Sequence, residues 1–319
     1  MLTADVVTTA CQRELGRRLL KQPSSLSMQV TISNTYGAGF LGGMLATFLY
    51  GITCVQTCIY NITFVEDMQP MEKMEKTKEN LRTIRTMKAR RTLVNILWVL
   101  DTFHLYCVVS TMYFFLIRCR GRLPGTDAIW SDGALIIAAN LSDCLVKFIY
   151  IHCVHLLCGY RVLIIPLGTS TVVAAGFGIF YGVVTVSNPP SILANETASF
   201  SVYTALGASA ATDIAISCML CFYYHRQGQV VETAYPLLHK LSLYAIQAGV
   251  LPSSIALTSL ITYAIYPRTF LYMGVFFVLQ KATLNSMLAM LNARKSLRSV
   301  LPDAAHNMAL SVDYATHFR

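Results

Sequence analysis

Residues 37–59 read GAGFLGGMLATFLYGITCVQTCI, twenty-three consecutive positions without a charged side chain. An α-helix needs about 20 such residues to cross the hydrocarbon core of a bilayer at 1.5 Å per residue. Six further stretches have the same character, at about 92–117, 133–158, 162–186, 202–224, 241–266 and 269–291. Together the seven use most of the 319 residues, so no large soluble domain fits in what remains. Composition agrees. The chain is 55% hydrophobic and 13% charged, whereas a soluble domain carries about a quarter charged residues. The expected fold is all-α: a polytopic, multi-pass bundle of seven transmembrane helices whose solvent and first partner is the lipid bilayer.

The segments between the spans set the orientation. Residues 1–35 form a polar leader without the apolar h-region of a cleaved signal, and read as disordered or as an extension upstream of a start at Met28. Residues 65–91 mix Glu72, Glu75 and Glu79 with eight cations, the pattern of a solvated helix lying at the membrane surface. The loops after spans one, three and five, with the tail 294–319, hold fifteen Lys and Arg; the opposite side holds eight, four of them in the leader. The positive-inside rule then places the N-terminus outside and the C-terminus in the cytosol. The same choice leaves the sequon Asn195-Glu196-Thr197 outside, where Asn195 can be glycosylated, and denies glycosylation to the sequon at Asn61.

A net charge of +9 suggests a nucleic-acid binder only if the cations form a basic face. Here they cluster at helix ends and loops, where they set topology and meet anionic headgroups, so no nucleic-acid partner is expected. Nearly all of the ten cysteines fall in or beside apolar runs, where Cys packs as a small hydrophobe. Cys218-x-x-Cys221 has no second pair, and no motif implies a cofactor. Gly39-x-x-x-Gly43 and Gly178-x-x-x-Gly182 are close-packing signatures of membrane helices, and Pro252 interrupts the sixth span, where it frees a carbonyl.

Ionisable groups within a membrane helix are costly and face the bundle interior or a hydrated cavity. Asp101 and His104 in span two lie three residues apart, on one face. Asn140, Asp143, Lys147 and His155 in span three fall within about a third of the helical wheel. Span five aligns Ser209, Asp213 and Ser217; span six aligns Gln247, Ser254 and Thr258; span seven aligns Lys281, Asn285 and Asn292. Stripes on five helices imply a shared polar interior, with Asp101, His104, Asn140, Asp143, Lys147, His155, Asp213, Gln247, Lys281, Asn285 and Asn292 as candidate pocket residues. They read equally well as interhelical glue, with Asp143 neutralising Lys147 at i, i+4 and Asp213 pairing with Lys281 across helices.

Three sharper readings fit less well. A metal site would draw on His152 and His155 with Asp101 or His104, but His152 points away from the stripe. A retinal-type pigment would use Lys281, yet Phe277 stands where an acidic residue one turn earlier would be expected. A G-protein-coupled receptor of the common class would carry Asp-Arg-Tyr after span three, where this chain has Gly159-Tyr160-Arg161. It would also end span seven on Asn-Pro-x-x-Tyr, and the loop 187–201 would hold a cysteine; neither is present.

Four segments carry a resemblance: Gly42–Tyr60 (GGMLATFLYGITCVQTCIY), Leu97–His104 (LWVLDTFH), Ala211–Tyr224 (ATDIAISCMLCFYY) and Thr283–Arg294 (TLNSMLAMLNAR). With them the chain, over about residues 36–296, resembles a basidiomycete family of multi-pass membrane proteins whose C-terminal half is a fungal domain of unknown function. The loop 65–91 is longer than that family's first loop, and the leader before Met28 is an addition. The resemblance implies seven spans and no established activity, and it supplies no catalytic residues. The functional expectation is a receptor-like protein or sensor with a polar intramembrane pocket, a small-molecule ligand and a cytosolic signalling partner at 225–240 and the tail. A transporter or channel using the polar interior, with Pro252 as a hinge, comes second, and an intramembrane metal-dependent hydrolase third.

Overall fold

The computed structural model describes residues 32–73, 78–118, 130–158, 164–187, 196–230, 235–266 and 271–300. Among them there is no strand. Helix α1 spans Ile32–Lys73, α2 Lys78–Tyr113 with a π-helical turn at Phe114–Arg118, α3 Trp130–Cys158 and α4 Ile164–Ser187. Helix α5 spans Glu196–Val230, α6 Tyr235–Ile265 and α7 Leu271–Val300. Each of the seven contains a segment long and apolar enough to cross a membrane. Their outer faces show why a bilayer is required: Phe40, Phe48, Val55, Val99, Phe200, Phe222 and Val250 are exposed. Such a belt of large apolar side chains has no soluble counterpart on a monomer.

The described residues of the charged stretch after span one, 65–73 and 78–91, are helical and continuous with the spans, not a separate surface helix. They prolong α1 to Lys73 and begin α2 at Lys78. The cause is propensity: Glu, Lys, Met, Leu and Arg are all good helix formers, and they carry each helix past the apolar limit. The same effect carries α7 on to Val300 through Ala293, Arg294, Lys295, Leu297 and Arg298.

The helices form a closed ring in which each packs on its sequence neighbours and α7 returns to α1; α3 also touches α5 and α7, and α7 touches α2. Glycines set the closest approaches. A Cβ on Gly42 would fall on the Gly274 carbonyl, and one on Gly182 would meet the Gly133 carbonyl, so α1–α7 and α3–α4 are backbone-to-backbone contacts. The second small-residue motif therefore packs as its spacing predicts. In the first, Gly39 and Gly43 face Met112 and Val108 side chains of α2, and Gly42, between them, makes the tight contact.

Two apolar clusters fill the interior. One holds Phe115, Leu135, Val202, Ala210, Phe277 and Leu279; the other holds Leu97, Val146, Ile216, Leu220, Leu284 and Met287. On α2, α5 and α7 the buried ionisable residues lie in sequence between the members of these two clusters, which places them in one layer near mid-helix. Pro252 is buried in α6; beside it Ser253 donates to the Gly249 carbonyl at 2.6 Å.

Candidate functional site

The mid-helix layer contains two separate ion-pair centres. In the first, Lys147 of α3 sits 2.7 Å from Asp143 Oδ2 on its own helix and 3.5 Å from Asp213 Oδ1 on α5. Lys147 Nζ also donates to the Ser209 carbonyl at 3.3 Å and contacts the Ser209 hydroxyl. Ser209 Oγ in turn donates to Asp143 Oδ2 at 3.2 Å. Two carboxylates thus face one ammonium. Lys147 and Asp213 are buried, whereas the Asp143 side chain is 23% exposed.

In the second centre, Lys281 of α7 donates to Asp101 Oδ1 at 2.6 Å and to the Asp101 carbonyl at 2.8 Å. Both residues are 0% exposed, and Lys281 Nζ lies 5.2 Å from the Tyr50 ring centroid. His104, one turn on from Asp101, is also 0% exposed. Among the described residues, Asp101 Oδ2 and both His104 ring nitrogens have no hydrogen-bond partner. Beside this centre Gln280 Nε2 donates to Ser142 Oγ at 3.2 Å, joining α7 to α3.

Asp213 and Lys281 therefore do not pair. Asp213 answers Lys147, and Lys281 answers Asp101. The reason is helix order: α7 meets α2 directly, while α5 is held by α3, α4 and α6. The i, i+4 pairing of Asp143 with Lys147 is as expected.

A cavity opens between α3, α4, α5 and α7, about 660 Å³ counting the space at its mouth. Asn140, Asp143, Ser209 and Gln280 line one part of it, Tyr181 and Tyr272 another, and Ile136, Leu206 and Phe276 add apolar wall. Asn140 fits against α4 because Gly178 has no side chain there; a Cβ would overlap it. The two phenols meet at 3.0 Å. Tyr272 stacks edge-on with Tyr263 at 4.9 Å, and the Tyr263 hydroxyl pairs with Ser199 at 3.1 Å. Asp132 is buried, and its Oδ1 has no partner among the described residues.

The remaining candidates lie elsewhere. Asn285 accepts from Thr53 Oγ1 at 2.9 Å and donates to the Leu49 carbonyl at 2.9 Å; Asn292 donates to the Gln56 carbonyl at 3.1 Å. Both tie α7 to α1, away from the cavity. His155 is half-buried, its Nδ1 without a partner among the described residues, and His152 is exposed. Gln247 lies on the outer face of α6 together with Ser254 and Thr258. Those two hydroxyls bond to carbonyls of their own helix, at Leu251 and Ser254, both at 2.8 Å, so neither needs an interior partner. The inner face of α6 is instead Ser242, Gly249, Ser253 and Ser259. Among the described residues no group of three or more His, Cys, Asp or Glu could hold a metal ion. Asn195 and most of the tail lie outside the described residues. Asn61 is on α1, bonded to Asn95, Arg91 and the Thr57 carbonyl.

Sequence reasoning missed Asp132, Gln280, Ser142 and four tyrosines: 181, 263 and 272, and Tyr203, whose ring meets that of Tyr263 edge-on at 5.4 Å. Asp132 falls one residue before the expected start of span three and so reads as an interfacial charge. The tyrosines lie near the ends of four spans, and aromatic residues there read as interface anchors.

No curated protein and no solved structure matches the chain. Residues 209–296 match a family described as "Family of unknown function (DUF6534)", a segment that holds Ser209, Asp213 and Lys281 but not Asp101, Asp143 or Lys147.

Proposed function

We propose that the protein is a receptor-like sensor that takes a small molecule into the cavity between α3, α4, α5 and α7 and reports its presence through α5. The observation that carries this reading is the position of Asp143. It lines the cavity, and through Lys147 it is joined to Asp213 and Ser209 on α5. A ligand that draws on Asp143 competes with Lys147 and so alters the tie between α3 and α5. Two carboxylates against one ammonium leave an excess of negative charge there, so the matching ligand carries a cationic group. Its apolar body lies against Ile136, Leu206 and Phe276 and its polar tip reaches Tyr181 and Tyr272. The same reading puts the charged end of α1 and α2 in the cytosol, with a signalling partner at 225–240 and the tail. It also takes the chain as one of the seven-span fungal proteins it resembles.

The test is thermal stability of the purified protein in nanodiscs against paired probes: tryptamine with tryptophol, and phenethylamine with phenethyl alcohol. The amines stabilise the wild type more than the alcohols, and the difference disappears in Asp143→Asn. An equal effect of amine and alcohol, or an unchanged preference in Asp143→Asn, contradicts the reading.

A transporter reading is favoured by a different observation, the three unpartnered polar atoms of Asp101 and His104 in the interior. They give a translocated proton or ion a second polar step beyond the cavity. Uptake of the same amines into proteoliposomes, lost in Asp101→Asn, would select it over the sensor.

A further inference from the structure

A second concavity lies on the outer surface of the bundle, between α2, α3 and α7. It encloses about 600 Å³ counting its open side. Its floor is apolar, with Leu93, Val94, Phe148 and Ile149, and Arg90 and His152 are its two basic side chains. Both sit at the end of the bundle where the exposed Arg85 and Lys88 of α2 also lie.

Arg90 differs from its neighbour. Arg91 turns toward α1, where Nε donates to Asn61 at 2.9 Å and the guanidinium stacks on Phe64 at 4.9 Å. Arg90 faces the groove, half-buried, and has no carboxylate partner among the described residues. A guanidinium at the mouth of an apolar groove offers planar, paired N–H donors to an oxyanion while its stem lies on hydrocarbon. His152 adds a ring N–H donor on the facing helix.

We propose that this groove is a binding site for an acidic phospholipid, the phosphate held by Arg90 and His152 and one acyl chain laid along Leu93, Val94, Phe148 and Ile149. The apolar floor decides for a lipid over a free anion, because inorganic phosphate would leave it uncovered. Basic pockets between membrane helices recognise acidic headgroups in this way, with the exposed cations nearby adding long-range attraction. The site is independent of the cavity that faces Asp143, since the two share no lining residue.

The test is native mass spectrometry of the full chain in detergent, titrated with phosphatidylserine or phosphatidylcholine, with and without excess inorganic phosphate. The expected result is one tightly retained phosphatidylserine, bound at least tenfold more tightly than phosphatidylcholine and not displaced by phosphate. Arg90→Gln abolishes that preference and His152→Gln reduces it about threefold. Arg85→Gln, which removes the same charge from an exposed position on the same helix end, preserves it. Equal retention of the two lipids would overturn the proposal, as would an equal loss in Arg85→Gln, or displacement of the lipid by inorganic phosphate. The His152→Gln and Arg85→Gln proteins decide the matter if Arg90→Gln does not fold.

Discussion

Replacing Lys281 by Met leaves the Asp101 carboxylate alone in an interior from which both side chains are fully excluded from solvent. Removing one partner of such a pair costs about 3–5 kcal/mol, because the survivor keeps its desolvation penalty and loses its compensation. The cost has a ceiling, since the orphaned carboxylate can take up a proton. At pH 7 that costs about 4 kcal/mol for a carboxyl with an ordinary pKa near 3.9, and at pH 5 about 1.5 kcal/mol. Lys281→Met is therefore expected to lose about 3–4 kcal/mol at neutral pH, roughly a 150- to 700-fold shift toward the unfolded state, and to recover about 1.5–2.5 kcal/mol at pH 5. The sign is fixed because the variant's folded state holds a proton that its unfolded state releases, so acid favours folding. The double variant Asp101→Leu/Lys281→Met removes both charges and should lie within about 1 kcal/mol of wild type or above it. Reversible SDS titration in mixed micelles, followed by circular dichroism, measures wild type, the double variant and both single variants, Lys281→Met and Asp101→Leu. A Lys281→Met protein as stable as wild type at pH 7 would refute the reasoning. So would a double variant whose loss equals the sum of the two single losses.

Three further predictions use the same assay or a gel. Gly42→Ala drives a methyl into the Gly274 backbone and should cost about 1–3 kcal/mol, while Gly51→Ala, with open space around it, should be neutral or slightly stabilising. Lys147→Met strands two carboxylates and should cost about 3–5 kcal/mol; Asp213→Asn leaves the 2.7 Å pair with Asp143 intact and should cost visibly less. Asn195→Gln should remove a glycosidase-sensitive mobility shift from protein expressed in a eukaryotic host, and Asn61→Gln should leave that shift in place.

The seven spans were legible because hydropathy is a property of local sequence, and each apolar run had to be covered by lipid or by another helix. Helix ends were not, because hydrophobicity marks where the bilayer stops. The residues that continue α1 to Lys73 and start α2 at Lys78 are governed by helix propensity instead. Asp143 with Lys147 was legible because i, i+4 geometry belongs to one helix. The partner of Lys281 was not, because Asp101 and Asp213 are equivalent in sequence and only the neighbour relations of α2 and α5 distinguish them. The Gln247, Ser254 and Thr258 stripe lay on the outer face because a Ser or Thr hydroxyl satisfies itself on a carbonyl of its own helix. Such residues carry little information about which face is inward, and Gly249, Ser253 and Ala256 mark that face better.

The most direct test of the sensor reading is hydrogen–deuterium exchange of the nanodisc-embedded protein with and without the amine that stabilises it most. Occupancy that reaches Asp213 through Lys147 predicts altered exchange along α5 beyond the cavity, over residues 213–226, with α1 unchanged and the α5 effect absent in Asp143→Asn. Protection confined to the residues that line the cavity, with α5 beyond Asp213 unaffected, would contradict the account and leave a binding protein without a relay.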